Sequence, residues 1–196
     1  VCDGVVSFYL SEAPLSESLE QPIPEAGYDP TGAEDHWPQP TTPHPLVTAV
    51  PEEWGGSIQS LGAWLAQEEP DPWERARAVH DWIALNIAYD AEAIQDGGYR
   101  PPQDADTVFR TREGVCAGYA NLAVALGRAA DLELAYVVGD ARSLGEDTDG
   151  VKHAWNAIRL DGHWYLMDVT WDAGHLEDGK TFVAELCLAD AARSAL

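Results

Sequence analysis

Lysine is nearly missing from this chain. Only Lys152 and Lys180 occur, and 34 acidic side chains outweigh 11 basic ones to give a formal net charge of −23. A surface of that sign repels phosphate backbones and anionic lipid, which excludes nucleic acid and anionic membrane surfaces as partners. It suits a high-salt habitat and a well-solvated surface equally. Cysteine is scarce too. Cys2, Cys116 and Cys187 can form one pair at most, so no disulfide framework holds the fold. No apolar run approaches the roughly 18 residues of a membrane span, and no internal repeat is visible. What remains is 196 residues, 45% hydrophobic with eight tryptophans, too apolar for a disordered chain and long enough for one sizeable core. The first residue is Val rather than Met, from which we expect a processed or trimmed chain and an extracytoplasmic or cell-envelope location. Cys2 fits the remnant of a lipid-attachment site and an arbitrary chain boundary alike. Nothing encodes an oligomeric state.

The texture of the chain changes twice. Residues 1–10 carry a short strand-like run. Eight prolines then lie between Ser11 and Pro45 among Glu, Ser and Thr. Proline lacks the N–H and fixes φ, so 1–45 reads as an acidic, Pro-rich N-terminal extension or tether, with His36 and His44 as loop histidines. The folded domain is expected over 46–196. Ser57 to Gln67 has helical periodicity, and Asp71-Pro72 signals the start of a second helix running to about Tyr89. That helix carries Trp82 and His80 on or near an apolar stripe, which reads as core. A short helical turn is expected within 104–112.

Thr111 to Ala130 is the chemically loaded stretch. Tyr119, Leu122, Ala123, Leu126 and Ala130 recur at helical spacing, and Cys116 falls in the first turn. A thiol there faces unpaired N–H groups and the positive end of the helix dipole, which favour the thiolate. On this stretch alone, an inert buried cysteine fits as well. Leu132 to Gly139 then reads as a strand. Lys152–Leu160 and His163–Thr170 flank Asp161-Gly162, a hairpin signal. His153 and Asp168 fall towards the same end of that hairpin, with parity that permits the same face. An imidazole beside a thiol takes its proton, and a carboxylate on the other ring nitrogen fixes the tautomer. His163 sits beside the turn, at the wrong end to take part. Thr181–Leu186 reads as a weak strand and Ala189–Leu196 as a weak terminal helix.

Four segments, HDWIALNIAYD (80–90), GVCAGYA (114–120), HAWN (153–156) and DVTWDAG (168–174), in that order resemble the motifs of the transglutaminase-like superfamily, which shares the papain-like cysteine protease core. The resemblance implies an α+β fold, the catalytic helix packed on an antiparallel sheet. It implies Cys116 as nucleophile, His153 as general base and acid, and Asp168 as orienting carboxylate. It also implies an oxyanion site using the Cys116 backbone N–H, with a second donor unplaced, and a protein or peptide substrate. Trp82 occurs where some members use a tryptophan, but its helical phase assigns it to the core.

Rival sites are poorer. In the calcium-loop frame around Asp147-Thr148-Asp149-Gly150, Gly145 and Asn156 occupy positions that need oxygen ligands and a bidentate Glu. His153, Asp168, Asp172 and His175 fit no common metal spacing, so no metal and no cofactor are expected. The expected activity is cysteine-dependent acyl transfer on a peptide or carboxamide bond through a thioester, ending in hydrolysis, with transamidation as the variant. The alternative is a catalytically idle binding or scaffolding module on the same fold.

Overall fold

The computed structural model describes residues 7–10, 42–91, 93, 101–142, 151–173 and 189–190. Its first helix, α1 (Ile58–Glu68), starts where Ser57 and Ser60 cap one another reciprocally, and it buries Leu61, Trp64 and Leu65. In α2 (Pro72–Asn86) the Asp71 carboxylate accepts the N–H groups of Trp73 and Glu74, and Pro72 occupies the first turn. The helix stops at Asn86, short of the Tyr89 end expected from periodicity. Ile87 is extended, and β2 (Ala88–Tyr89) pairs in parallel with β3 (Glu113–Gly114). The Tyr119 hydroxyl donates to the freed Ile87 carbonyl at 2.7 Å. Between those strands lies α3 (Ala105–Thr111), capped by Asp104 and ended by Arg112 in the left-handed region.

The helix carrying the cysteine, α4 (Cys116–Ala129), is followed by β4 (Glu133–Arg142), β5 (Val151–Leu160) and β6 (His163–Met167). Asp161 and Gly162 both take positive φ, 50° and 85°, which closes β5 onto β6 as the Asp-Gly pair requires. With β1 (Ser7–Leu10) and β7 (Ala189–Asp190), these strands form an antiparallel sheet in the order β1-β4-β5-β6-β7. The fold is α+β, as expected.

One sheet face meets the helices. Leu61, Leu65, Val79, Ile83, Leu122 and Leu126 pack there with Leu134, Ile158 and Tyr165. The other face carries a smaller cluster of Val137, Trp155, Ala157 and Leu166. The α1 and α4 backbones approach closely at Gly62, where a Cβ would lie 2.3 Å from Ala129 Cβ and 2.6 Å from its carbonyl carbon.

Several local readings change. The second hairpin strand ends at Met167 rather than Thr170, because the Asp168 side chain caps a one-turn helix, α5 (Val169–Asp172). Ala189–Asp190 pairs with β6 instead of opening a helix. Thr181–Leu186 lies outside the described residues. Thr42 to Pro45, read from sequence as part of the tether, rests on α2. The His44 N–H donates to Asp81 Oδ2 at 2.8 Å, and Arg77 donates to the Thr42 carbonyl at 2.5 Å. His44 is buried, not an ordinary loop histidine. Among the described residues no helix is long and apolar enough to cross a membrane.

Candidate active site

Cys116 is the first residue of α4, and Val115 before it supplies no side-chain cap. The first N–H groups of a helix point out of its N-terminal end, here towards the thiol, while the Gly118 N–H turns back to the Val115 carbonyl at 2.8 Å. Two neighbours hold that end in place. The Val115 N–H donates to Gln103 Oε1 at 2.9 Å, and Asn121 Nδ2 donates to the Gln103 carbonyl at 2.8 Å. Close packing explains the second glycine of GVCAGYA, Gly118, since a Cβ there would meet Gln103 Oε1 at 2.4 Å and Val108 at 2.9 Å.

The hairpin brings the partners. On β5, Asn156 of HAWN is buried and donates to the carbonyls of Ala120 on α4 and Ala135 on β4, at 3.0 and 3.2 Å. This stitches the strand to the helix and sets His153 beside the thiol. The His153 ring and the N–H groups of Ala154 and Ala117 are the groups that favour the thiolate of Cys116. His153 Nε2 donates to Asp168 Oδ2 at 2.6 Å, which leaves Nδ1 for the sulfur. Asp168 is fixed in turn, for its Oδ1 accepts the N–H groups of Thr170 and Trp171 at 3.1 and 3.2 Å. The Trp171 ring stacks on the His153 imidazole, centroids 4.8 Å apart and 16° from parallel, and so covers it from one side.

Burial and pairing oppose each other at this site. Burial disfavours the charged form of both groups, but the bonds to Asp168 and Cys116 push the His153 pKa up to about 9. For Cys116 too, burial opposes ionisation, yet the His153 ring and the Ala154 N–H hold the thiol below its usual range. The His153–Cys116 pairing therefore favours proton transfer from the thiol to the imidazole. Tyr89 and Tyr136 are pushed up, first by burial and then by the Cys116 charge.

Of the three residues singled out in the sequence, His153 and Asp168 are joined by a hydrogen bond, and the His153 ring acts on the Cys116 thiol. His163 pairs with Leu160 beside the turn, at the far end of the hairpin from Asp168. Cys2, Cys187 and His175 lie outside the described residues, as do residues 145–150 of the rejected calcium frame. Among the described residues no three His, Cys, Asp or Glu side chains gather as metal ligands.

Sequence reasoning passed over a second histidine. His80, read as core, is fully buried, with Nδ1 at 2.9 Å from Asp81 Oδ1 and Nε2 at 3.1 Å from Asp172 Oδ2. Burial works against its charge, but the two carboxylates prevail and push its pKa up to about 9. The available signal was a pair of acids one helical turn apart in DVTWD, together with a His-Asp pair inside the apolar stripe of α2.

An α+β domain with a helix-borne thiol, a strand imidazole and a carboxylate in series is of the papain-like class. The core model of the transglutaminase-like superfamily matches residues 59–169, more than half of the chain, and the chain belongs to that superfamily. Kyphoscoliosis peptidases of Mus musculus and Homo sapiens are similar, each 36% identical over 122 residues. The match covers 60% of this chain but 18% of each relative, so the chain spans less than a fifth of those proteins' length. Similar solved structures include the periplasmic domain of TgpA from Pseudomonas aeruginosa, with 22% identity, 76% of this chain and 50% of that one covered, and a TM-score of 0.46. Another is a TGase with 20% identity, 67% and 36% covered, and a TM-score of 0.45.

Proposed function

We propose that the chain catalyses cysteine-dependent acyl transfer at a peptide or carboxamide carbonyl, and that its ordinary outcome is hydrolysis. The observation that supports this reading is the His153 imidazole, held by Asp168 at 2.6 Å, acting on the thiol at the start of α4. The Cys116 thiolate attacks the carbonyl carbon, forming a C–S bond and placing the negative charge on the carbonyl oxygen. Helical N–H groups around Cys116 suit that oxyanion, because donors fixed in advance stabilise charge as it develops. The tetrahedral adduct collapses and the C–N bond breaks. The imidazolium of His153 gives its proton to the departing nitrogen, leaving a thioester on Cys116 and a neutral imidazole.

Water then attacks the thioester while His153 takes its proton. The C–S bond breaks, releasing a carboxylic acid and restoring the thiolate–imidazolium pair. Asp168 keeps Nε2–H directed at itself and Nδ1 at the reacting atoms. A primary amine in place of water would give transamidation, which requires a site that excludes water. The name peptidase borne by the mouse and human relatives favours water and a protein or peptide substrate.

Intact-mass analysis after incubation with a peptide-amide library, with and without a labelled primary amine, tests the reading. The expected result is a thioester adduct on Cys116 and hydrolysed product, with little amine incorporated. A Cys116→Ala chain that keeps full activity on a substrate turned over by the parent would overturn it, and predominant amine incorporation would replace hydrolysis with transamidation.

A further inference from the structure

The His80 cluster spends two buried carboxylates and a buried imidazole on a place where apolar side chains would pack. Both ring nitrogens of His80 face carboxylate oxygens, at 2.9 and 3.1 Å. An ionised carboxylate only accepts hydrogen bonds, so both nitrogens must donate, and the ring is cationic by geometry. Asp81 is itself held, by the His44 N–H at 2.8 Å and by Arg77 Nε at 3.6 Å. Two cations, His80 and Arg77, thus face two carboxylates, Asp81 and Asp172. Exchanging such a buried cluster for apolar residues is often neutral or stabilising, so stability alone does not account for it.

Its position does. Asp172 is the last residue of α5 and Asp168 is the N-cap of the same helix. Their main chains are joined by the Asp172 N–H donating to the Asp168 carbonyl at 3.2 Å. A single helical turn does not persist unaided, because nucleation is unfavourable and one turn gains few hydrogen bonds in return. Tertiary anchors must therefore hold α5. Among them are Val169, buried in the core, and the grip of His80 on Asp172. We propose that His80 is a positioning residue for the Cys116 chemistry: by holding Asp172 it fixes α5, and through α5 it fixes the Asp168 carboxylate against His153. The proposal rests on the functional reading above and names a residue of α2, remote from the sulfur in sequence, as the brace of its acid–base pair.

The test uses the full chain and needs no substrate. The rate of Cys116 alkylation by iodoacetamide is followed against pH in the parent, in His80→Leu, in Asp168→Ala and in the double variant. Where a peptide substrate is found, kcat and KM are read beside it. In the parent, alkylation is expected to rise at a pH below that of an ordinary thiol. In His80→Leu that rise should move up by about half a pH unit or more, and kcat should fall about tenfold with KM within about twofold, the scale of a small misplacement of reacting groups. In the Asp168→Ala background, His80→Leu should change the rate by less than about twofold, because a residue acting only through another adds nothing once that other is gone.

A merely structural histidine would give the same loss in both backgrounds, and that result overturns the proposal. So does a folded His80→Leu chain with the parent's pH profile. If His80→Leu does not fold, Asp172→Leu and Asp172→Asn take its place. The asparagine keeps an acceptor for the His80 N–H and should stay within about threefold of the parent, while the leucine should not. Equal behaviour of the two overturns the proposal. A parent thiol that reacts like an ordinary one removes the functional reading and this inference with it, whereas an activated parent thiol unaffected by either pair of variants removes the inference alone.

Discussion

Asp168 and Asp172 stand one helical turn apart on α5, and each holds a different buried histidine, His153 at 2.6 Å and His80 at 3.1 Å. The two imidazoles have the same chemistry and different surroundings. His80 is enclosed by carboxylates on both sides and has nothing to do but stay charged. His153 has a carboxylate on one side and a thiol on the other, so its second proton has somewhere to go. One short helix therefore links a fixed ion cluster to a reactive pair.

The reactive pair sets the pH profile. On the proposed mechanism, turnover needs the thiolate, which forms as pH rises through the lowered Cys116 pKa, and the imidazolium, which is lost as pH rises through about 9. We expect kcat/KM to be bell-shaped, with its acid limb below the usual thiol range and its base limb near 9. In His153→Ala the burial of Cys116 persists without its main counterweight, so the alkylation limb should move upward. A limb left in place would show that the imidazole does not activate the sulfur.

The His80 cluster sets a second, separable dependence, on stability. The folded His80 pKa of about 9 exceeds its ordinary 6.5. Its contribution is therefore fully present below about pH 6.5 and is lost as pH rises through about 9. Denaturant midpoints of the parent and of His80→Leu, taken from pH 6 to pH 10, should shift towards one another in favour of the variant as pH rises. A difference independent of pH would mean that His80 carries no charge in the fold.

The site motifs were legible in the sequence because each is local: a cysteine at a helix start, and a histidine and an aspartate flanking an Asp-Gly turn. Other features depend on long-range partners. α5 has too few residues to show a period, and it exists because Asp168 caps it and Asp172 is held. β2 and β3 are two residues each, joined across the whole of α3, so no alternating pattern marks them. His80 and Asp81 lie in an apolar stripe, and nothing in the stripe tells a satisfied ion cluster from core. The docking of Thr42 and His44 on α2 is likewise invisible without Arg77 and Asp81 opposite them.

That docking refines the boundary of the proposed tether. A chain beginning at Thr42 keeps the His44 N–H on Asp81, while one beginning at Leu46 loses it and leaves part of a buried carboxylate unpaired. Leaving a buried polar group unsatisfied costs about 1–3 kcal/mol. The shorter chain should accordingly melt several degrees below the longer one. Equal melting temperatures would return the boundary to residue 46.

Close packing of α1 on α4 offers a control that spares the chemistry. In Gly62→Ala the new methyl meets Ala129 backbone, which has no rotamer to yield. Overpacking of this kind costs about 1–3 kcal/mol. Melting should fall while the pH profile of Cys116 alkylation keeps its shape, since Gly62 lies on α1 and Cys116 at the opposite end of α4 from Ala129. A shifted profile would mean that the α1 contact reaches the thiol.

The triad residues should differ from one another when removed. Cys116→Ala should abolish covalent chemistry, because it removes the proposed nucleophile. His153→Ala should do nearly as much, since both proton transfers pass through its ring and general acid–base catalysis supplies roughly 10²–10⁴-fold. Asp168→Ala should be milder in rate, about 10–10³-fold, because the imidazole survives and loses only its orientation. It should be harsher on structure, for Asp168 also caps α5 through Thr170 and Trp171. Loss of an N-cap costs about 1 kcal/mol. Asp168→Asn separates the two roles: its side-chain oxygen keeps the cap while the charge beside His153 is gone. We expect Asp168→Asn to melt near the parent and to turn over near Asp168→Ala. Adding His153→Ala to either Asp168 variant should change the rate little beyond His153→Ala alone, because residues acting as one unit are strongly non-additive. Independent, multiplying losses in the double variant would mean that Asp168 does not act through His153.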